Sequence, residues 1–177
     1  MTSLFNAIEA SPVHVLGCSE QEVDNLVGVQ SLRLPQECVI RFIRGKRCQT
    51  AAGLFQEFAA ALQFPYYFGH NWDALDECLG DLYWLPARLY ILVITNAQLL
   101  LSSGKRDELK TLWSVLMDAR SELSEPAGDD PRPRQAAQLH YLLQAEPDEV
   151  DKTIKKLEVA GVTARWSEEF LELQPPS

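Results

Sequence analysis

One stretch of the chain constrains its fold more than any other. The segment RLYILVIT, residues 88–95, is an almost uninterrupted apolar run. A strand with one face in water alternates apolar and polar side chains, whereas a continuous run is typical of a strand covered on both faces, as in a parallel sheet. We therefore predict that residues 88–95 form a strand of a parallel sheet with other elements packed on both of its faces.

The remaining segments alternate between strand and helix patterns from Cys38 onward, which predicts an α/β layer fold. A strand, a helix and a second strand in this order give parallel neighbours through a right-handed crossover. The predicted strands are residues 38–43, 88–95 and 138–145, with shorter candidates at residues 13–17 and 162–166. The predicted helices are residues 20–26, 51–64, 72–80, 107–123 and 147–160, and residues 124–134 are predicted as a loop rich in proline, glycine and charge.

The helix predicted at residues 72–80 has two chemically different faces. Asn71 immediately before it is a favourable N-cap residue. A face for the core is predicted by three leucines at helical spacing, Leu75, Leu79 and Leu82. The second face is acidic and consists of Asp73, Glu77 and Asp81, with Asp76 beside them.

This acidic face has a local cost, because no lysine or arginine lies between Arg47 and Arg88 to offset it. Like charges four residues apart destabilise a helix by roughly 0.2–0.5 kcal/mol per pair. Two interpretations are open: a solvated face of an acidic protein, or an anionic surface held ready for a cationic partner. Tyr66, Tyr67 and Trp72 crowd the same turn, and aromatic residues beside charges are typical of interface anchors, which favours the second interpretation.

The segment from Phe64 to Pro86 also matches a known pattern: proline, an aromatic pair, glycine, a polar residue, asparagine, a hydrophobic residue, Asp-Ala-Leu and a later proline. The matching positions are Pro65, Tyr67, Phe68, Gly69, Asn71, Asp73, Ala74, Leu75 and Pro86. This pattern resembles the barstar family, the intracellular inhibitors of the ribonuclease barnase. With the flanking strand and helix patterns, the resemblance extends over about residues 39–144.

The resemblance implies a small parallel sheet packed with helices and a protein partner, namely a basic extracellular-type ribonuclease or a related nuclease toxin. It implies stoichiometric binding that blocks the partner's active site, with neither catalysis nor a cofactor in this chain. Asp73 and Glu77 are the residues expected to enter that active site, since a protein carboxylate can occupy a phosphate-binding site as a substrate mimic. The other residues predicted to contact the partner are Tyr67, Gly69, Asn71, Trp72 and Asp76.

The chain departs from the family pattern at two of these positions. Glu77 stands where the family has aspartate, and its longer side chain reaches farther with one more rotatable bond. Asp76 stands where the family has an aromatic residue. We therefore expect the selectivity for the partner to differ.

Two backbone features are also predicted for this segment. Gly69 is expected to adopt backbone angles that other residues avoid. The resemblance further implies a cis peptide bond between Leu85 and Pro86.

Composition limits the classes of partner. The net charge of −9 argues against nucleic acid or an anionic membrane as a direct partner and favours a basic one. The amino-terminal residues lack the pattern of a secretory signal, and four scattered cysteines are predicted to be reduced and mostly buried, so a cytoplasmic location is expected. We predict an N-terminal extension at residues 1–36, a barstar-like domain at residues 37–145, and a C-terminal helix-strand extension at residues 146–177 packed on the same domain.

The other classes of function have weaker support in the sequence. His70, Asp73 and His140 lack the regular spacing of metal ligands on a helix. Cys78 lies among leucines and is predicted to be a core residue and not a nucleophile. The remaining alternative is an interaction or regulatory module of the same fold that does not inhibit a ribonuclease and binds through its terminal segments.

Overall fold

The computed structural model describes residues 11–31, 34, 36–126 and 135–166, and these contain a five-stranded sheet. Every pair of neighbouring strands is parallel. The strands are β1 (Val13–Gly17), β2 (Cys38–Arg44), β3 (Leu89–Thr95), β4 (Gln138–Ala145) and β5 (Arg165–Trp166). Their order in the sheet is β2-β3-β4-β1-β5. The predicted α/β class with a parallel sheet is therefore confirmed.

Five α-helices connect the described strands. They are α1 (Glu20–Ser31), α2 (Ala51–Leu62), α3 (Trp72–Asp81), α4 (Glu108–Ser124) and α5 (Val150–Val159). All five were predicted, and the differences are confined to their ends. The helix predicted at residues 51–64 ends at Leu62 because Gln63 adopts the left-handed conformation, with φ 54°, and its N–H bonds the Ala59 carbonyl.

The apolar run that predicted the fold is β3, and all of its residues are buried. It lies between β2 and β4, with Ile91 paired to Ile40 on one side and to His140 on the other. The alternating residues of the sheet face two separate apolar clusters. One is formed with α1, and the other is formed with α2, α3, α4 and α5. Helices on both faces explain why the run needs no polar alternation.

Strand β1 comes from the segment predicted as an N-terminal extension, and it pairs with β4 on one side and β5 on the other. The buried side chain of Gln144 links the ends of three strands there: it accepts a hydrogen bond from Asn96 N at 2.8 Å and donates one to Cys18 O at 2.6 Å. Both flanking segments thus contribute strands to one sheet. The division at residues 36 and 145 stays a prediction.

Two local predictions have different outcomes. The Leu85–Pro86 peptide bond is trans, so the predicted cis bond is wrong. The Tyr90 hydroxyl holds this turn by donating to Leu85 O at 2.7 Å and accepting from Ala87 N at 3.1 Å, and a trans bond is the intrinsically preferred form. Of the predicted loop at residues 124–134, Ser124 is the last residue of α4, and residues 127–134 lie outside the described residues.

A buried histidine in β4 makes stability depend on pH. His140 is 3% exposed, and burial lowers its pKa to about 4, with further lowering from Arg120 and His14 and an opposing effect of the Ser11 carbonyl. The folded protein therefore keeps this imidazole neutral as the pH falls through 6.5, the value for an ordinary histidine, while the unfolded chain takes up a proton. The contribution of neutral His140 to stability is fully present above about pH 6.5 and is lost as the pH falls toward its folded pKa of about 4.

We expect the free energy of unfolding to fall by about 2 kcal/mol through His140 between about pH 7.5 and about pH 5. Urea denaturation at the two pH values measures this difference. In His140→Gln, whose new side chain does not titrate, most of this pH dependence should be absent. An equal pH dependence in His140→Gln would show that other groups cause it.

Candidate functional site

Helix α3 is held at both ends by its own sequence. Asn71 has extended backbone angles, and its side chain accepts a hydrogen bond from Ala74 N at 2.9 Å, which confirms the predicted N-cap. At the other end Leu82 is left-handed, with φ 45°, and its N–H bonds the Cys78 carbonyl. Three apolar residues of α3 are buried, namely Leu75, Cys78 and Leu79. The acidic face is therefore turned away from the core on a helix of defined length.

The acidic residues of α3 differ in exposure. Asp73 and Glu77 are exposed, whereas Asp76 is half-buried. Burial raises the pKa of Asp76, and the carboxylates of Asp118 and Asp73 raise it further. Asp76 therefore carries its negative charge at a cost that a cation would relieve.

Asp118 belongs to α4 and extends the acidic surface beyond α3. It is exposed, and Ser114 donates a hydrogen bond to its Oδ2 at 3.2 Å. The two helices pass close to each other, since a Cβ on Gly80 would lie 2.1 Å from Glu122 Oε2. The sequence analysis missed Asp118, because no pattern within α4 distinguishes it from other surface acids; only its electrostatic effect on Asp76 of the neighbouring helix does.

The loop before α3 presents two tyrosines to solvent. Phe68 N donates to the Pro65 carbonyl at 3.0 Å, which places Tyr66 and Tyr67 at the centre of a tight turn. Tyr66 is 100% exposed and Tyr67 is 54% exposed. Phe64 and Phe68 on either side of the turn point inward, with ring centroids 4.9 Å apart.

A third tyrosine joins this pair from the far end of α3. A hydrogen bond with Tyr83 is the main cause that raises the pKa of the Tyr67 phenol, followed by burial and the charges of Tyr83, Cys78 and Asp81. Tyr83 is 38% exposed, and its ring packs on Trp84, whose Nε1 donates to Leu62 O at 3.0 Å. Sequence reasoning missed Tyr83, because its proximity to Tyr67 depends on how the loop folds back along α3.

Two residues predicted to contact a partner also have structural roles. Trp72 is half-buried, and its ring centroid lies 4.9 Å from that of Phe55 in α2, so it secures the first turn of α3. Asn71 is exposed but uses its side-chain oxygen as the cap. Contact of either residue with a partner stays a prediction.

The expectation about Gly69 is wrong in its detail, because the left-handed residue of this loop is His70, with φ 51°. The lack of space for a side chain at position 69 explains the glycine. A Cβ at position 69 would lie 3.1 Å from Asn71 Nδ2 and 3.4 Å from Ala74 Cβ, so a side chain would crowd the cap of α3. Gly69 and His70 are both exposed.

The capping role of Asn71 can be tested by substitution. We expect Asn71→Ala to lower the free energy of unfolding by about 1 kcal/mol, because Ala74 N loses its acceptor. Asn71→Asp keeps a capping oxygen and should lower it by much less. Chemical denaturation of the two variants measures the difference, and equal losses would contradict the capping role.

The described residues offer little for the other chemistries. They contain no group of three or more histidines, cysteines and acids placed to hold a metal ion. All four cysteines are free, and burial raises the pKa of the Cys78 thiol to about 11, which suits a core residue and not a nucleophile. None of the described helices has the length and apolar character needed to cross a membrane.

Comparison with known proteins identifies a matching family model and similar solved structures. A family model described as "Barstar (barnase inhibitor)" matches residues 38–136, more than half of the chain, from β2 to the residues before β4. No curated protein matches the chain. The crystal structure of Cdc6p from Pyrobaculum aerophilum superposes with a TM-score of 0.53 and 16% sequence identity. The match covers 92% of this chain but only 42% of that one, and at this identity it shows similarity of fold alone.

Proposed function

Because the chain belongs to the barstar family, we propose that it is a stoichiometric inhibitor of a basic ribonuclease, which it blocks by inserting the acidic face of α3 into the active site. One observation carries the proposal. Asp73 and Glu77 are exposed on a helix fixed at both ends, and among the described residues neither has an ion-pair partner. Both charges are thus available to a partner.

The chemistry of the partner's site explains why two carboxylates suffice. A ribonuclease holds a phosphodiester with convergent cationic groups, and these groups accept a carboxylate in place of a phosphate oxygen. Since α3 is already folded and capped, binding orders few side chains, which limits its entropic cost. The negative surface also attracts a basic protein and raises the rate of association.

The neighbouring acids bear on selectivity. Half-buried Asp76, whose pKa the Asp118 carboxylate helps to raise, stands where the family has an aromatic residue, so the partner is expected to offer a cation and not an apolar surface there. The longer side chain of Glu77 favours a deeper cationic site. We propose a cognate enzyme that differs from barnase at these two contacts, and a cytoplasmic location where the inhibitor would protect the cell from a nuclease toxin.

The test is a titration of a barnase-type ribonuclease with the full chain, with RNA cleavage as the readout. A linear loss of activity that ends at one equivalent would support the proposal. If barnase is not inhibited, a panel of basic ribonucleases and nuclease toxins should contain one that is. Failure of the whole panel, with the protein shown to be folded, would reject inhibition and favour an interaction module of the same fold.

A further inference from the structure

The tyrosine turn, defined as residues 65–68, has a feature that the acidic face does not explain. Tyr66 is completely exposed although Phe64 and Phe68 of the same loop are packed inward. The two tyrosine rings meet edge to face, with centroids 5.6 Å apart. One ring edge therefore rests on the other ring, and aromatic faces remain open to solvent.

The turn is held firmly for an exposed element. The hydrogen bond from Phe68 N to Pro65 O closes it, and Phe68 packs on Phe55 with ring centroids 6.4 Å apart. Tyrosine has few rotatable bonds, so a ring in such a turn loses little entropy when it is covered. An exposed and preorganised aromatic ring is typical of a residue that contributes strongly to an interface.

The charges around the turn select the kind of group that would cover these rings. The charge of Asp81 helps to raise the pKa of the Tyr67 phenol, and the segment from residue 48 to residue 87 contains no lysine or arginine. The face of an aromatic ring attracts a cation, and a planar guanidinium can stack on the ring while it pairs with a carboxylate. An ammonium group has the charge without the planar surface.

We infer that the Tyr66 ring, beside Tyr67, binds the guanidinium group of an arginine on the partner's surface, outside the carboxylate contacts of Asp73 and Glu77. This inference rests on the proposed function for the identity of the partner but not for the chemistry of the site. It adds a second recognition element, which distinguishes arginine from other positively charged residues.

The test uses the full chain labelled with 3-fluorotyrosine, and its five tyrosines are expected to give separate ¹⁹F NMR signals. Nonaarginine and nonalysine peptides serve as probes, and the Tyr66→Phe variant assigns the Tyr66 signal. We expect nonaarginine to shift the Tyr66 signal and to bind about 3- to 20-fold more tightly than nonalysine. Tyr66→Leu, which keeps apolar surface but lacks the ring, should lose this preference, while Tyr66→Phe should keep it.

Val159→Ala is the matched control, because Val159 on α5 is another exposed apolar residue, with 80% of its surface accessible. This variant should bind both peptides as the unmodified protein does. Equal binding of the two peptides, or unchanged arginine preference in Tyr66→Leu, would overturn the inference. The two proposals can fail separately. If the protein shows no arginine preference and Tyr66→Leu leaves ribonuclease inhibition intact, the tyrosine site alone is rejected. If the protein prefers arginine but inhibits no ribonuclease, the proposed function alone is rejected.

Discussion

Replacing Asp73 or Glu77 with alanine is expected to weaken binding of the cognate ribonuclease by at least about 30-fold for each residue. Removing one partner of a desolvated, hydrogen-bonded charge pair costs about 2–5 kcal/mol, and each 1.4 kcal/mol corresponds to a factor of ten in the dissociation constant. Much of this cost comes from the partner's cations, which stay buried without a counter-charge. Because both side chains are exposed in the free protein, its stability should change little.

The measurement is calorimetric or kinetic titration of each variant against the ribonuclease that the unmodified protein inhibits. Asp73→Asn and Glu77→Gln keep the shape and remove only the charge, so they separate electrostatics from packing. Asp151→Ala is the control, because Asp151 is an exposed acid in the first turn of α5. A loss of less than threefold for both alanine variants, alongside tight binding by the unmodified protein, would place the binding surface elsewhere.

Phe55→Ala should lower the free energy of unfolding by about 3–5 kcal/mol, since truncation of a buried aromatic side chain leaves a cavity. Phe55 is 6% exposed and lies at the junction of α2 with the site. Its ring centroid is 4.9 Å from that of Trp72 and 6.4 Å from that of Phe68. The substitution thus removes a support shared by α3 and the tyrosine turn.

Urea denaturation measures the loss of stability, and Phe55→Leu, which fills most of the space, should lose clearly less. We also expect Phe55→Ala to weaken ribonuclease binding even under conditions where the variant is fully folded, because Trp72 and Phe68 lose a common contact. Unchanged stability would show that the surrounding side chains fill the cavity. Unchanged affinity in a folded variant would show that α3 keeps its geometry without this contact.

Local patterns in the sequence predicted most of the architecture. The apolar run at residues 88–95 indicated a strand covered on both faces, because a doubly covered strand has no polar alternation, and β3 has this environment. The helix that carries the acidic face was equally predictable. Asn71 caps it by accepting a hydrogen bond from the residue three positions later, and the spacing of its apolar and acidic residues places them on different faces of the helix.

Long-range packing decided the rest. Nothing local indicates that β1 lies between β4 and β5, because strand order depends on which apolar faces the connecting helices cover. Asp118 and Asp76 lie on different helices, and the approach of Tyr83 to Tyr67 depends on the loop packing back along α3. The sequence by itself determined the elements and the acidic stripe, since both follow from contacts within a few residues. Only the tertiary structure decided which carboxylates and rings form one surface, because those neighbours are far apart in the chain.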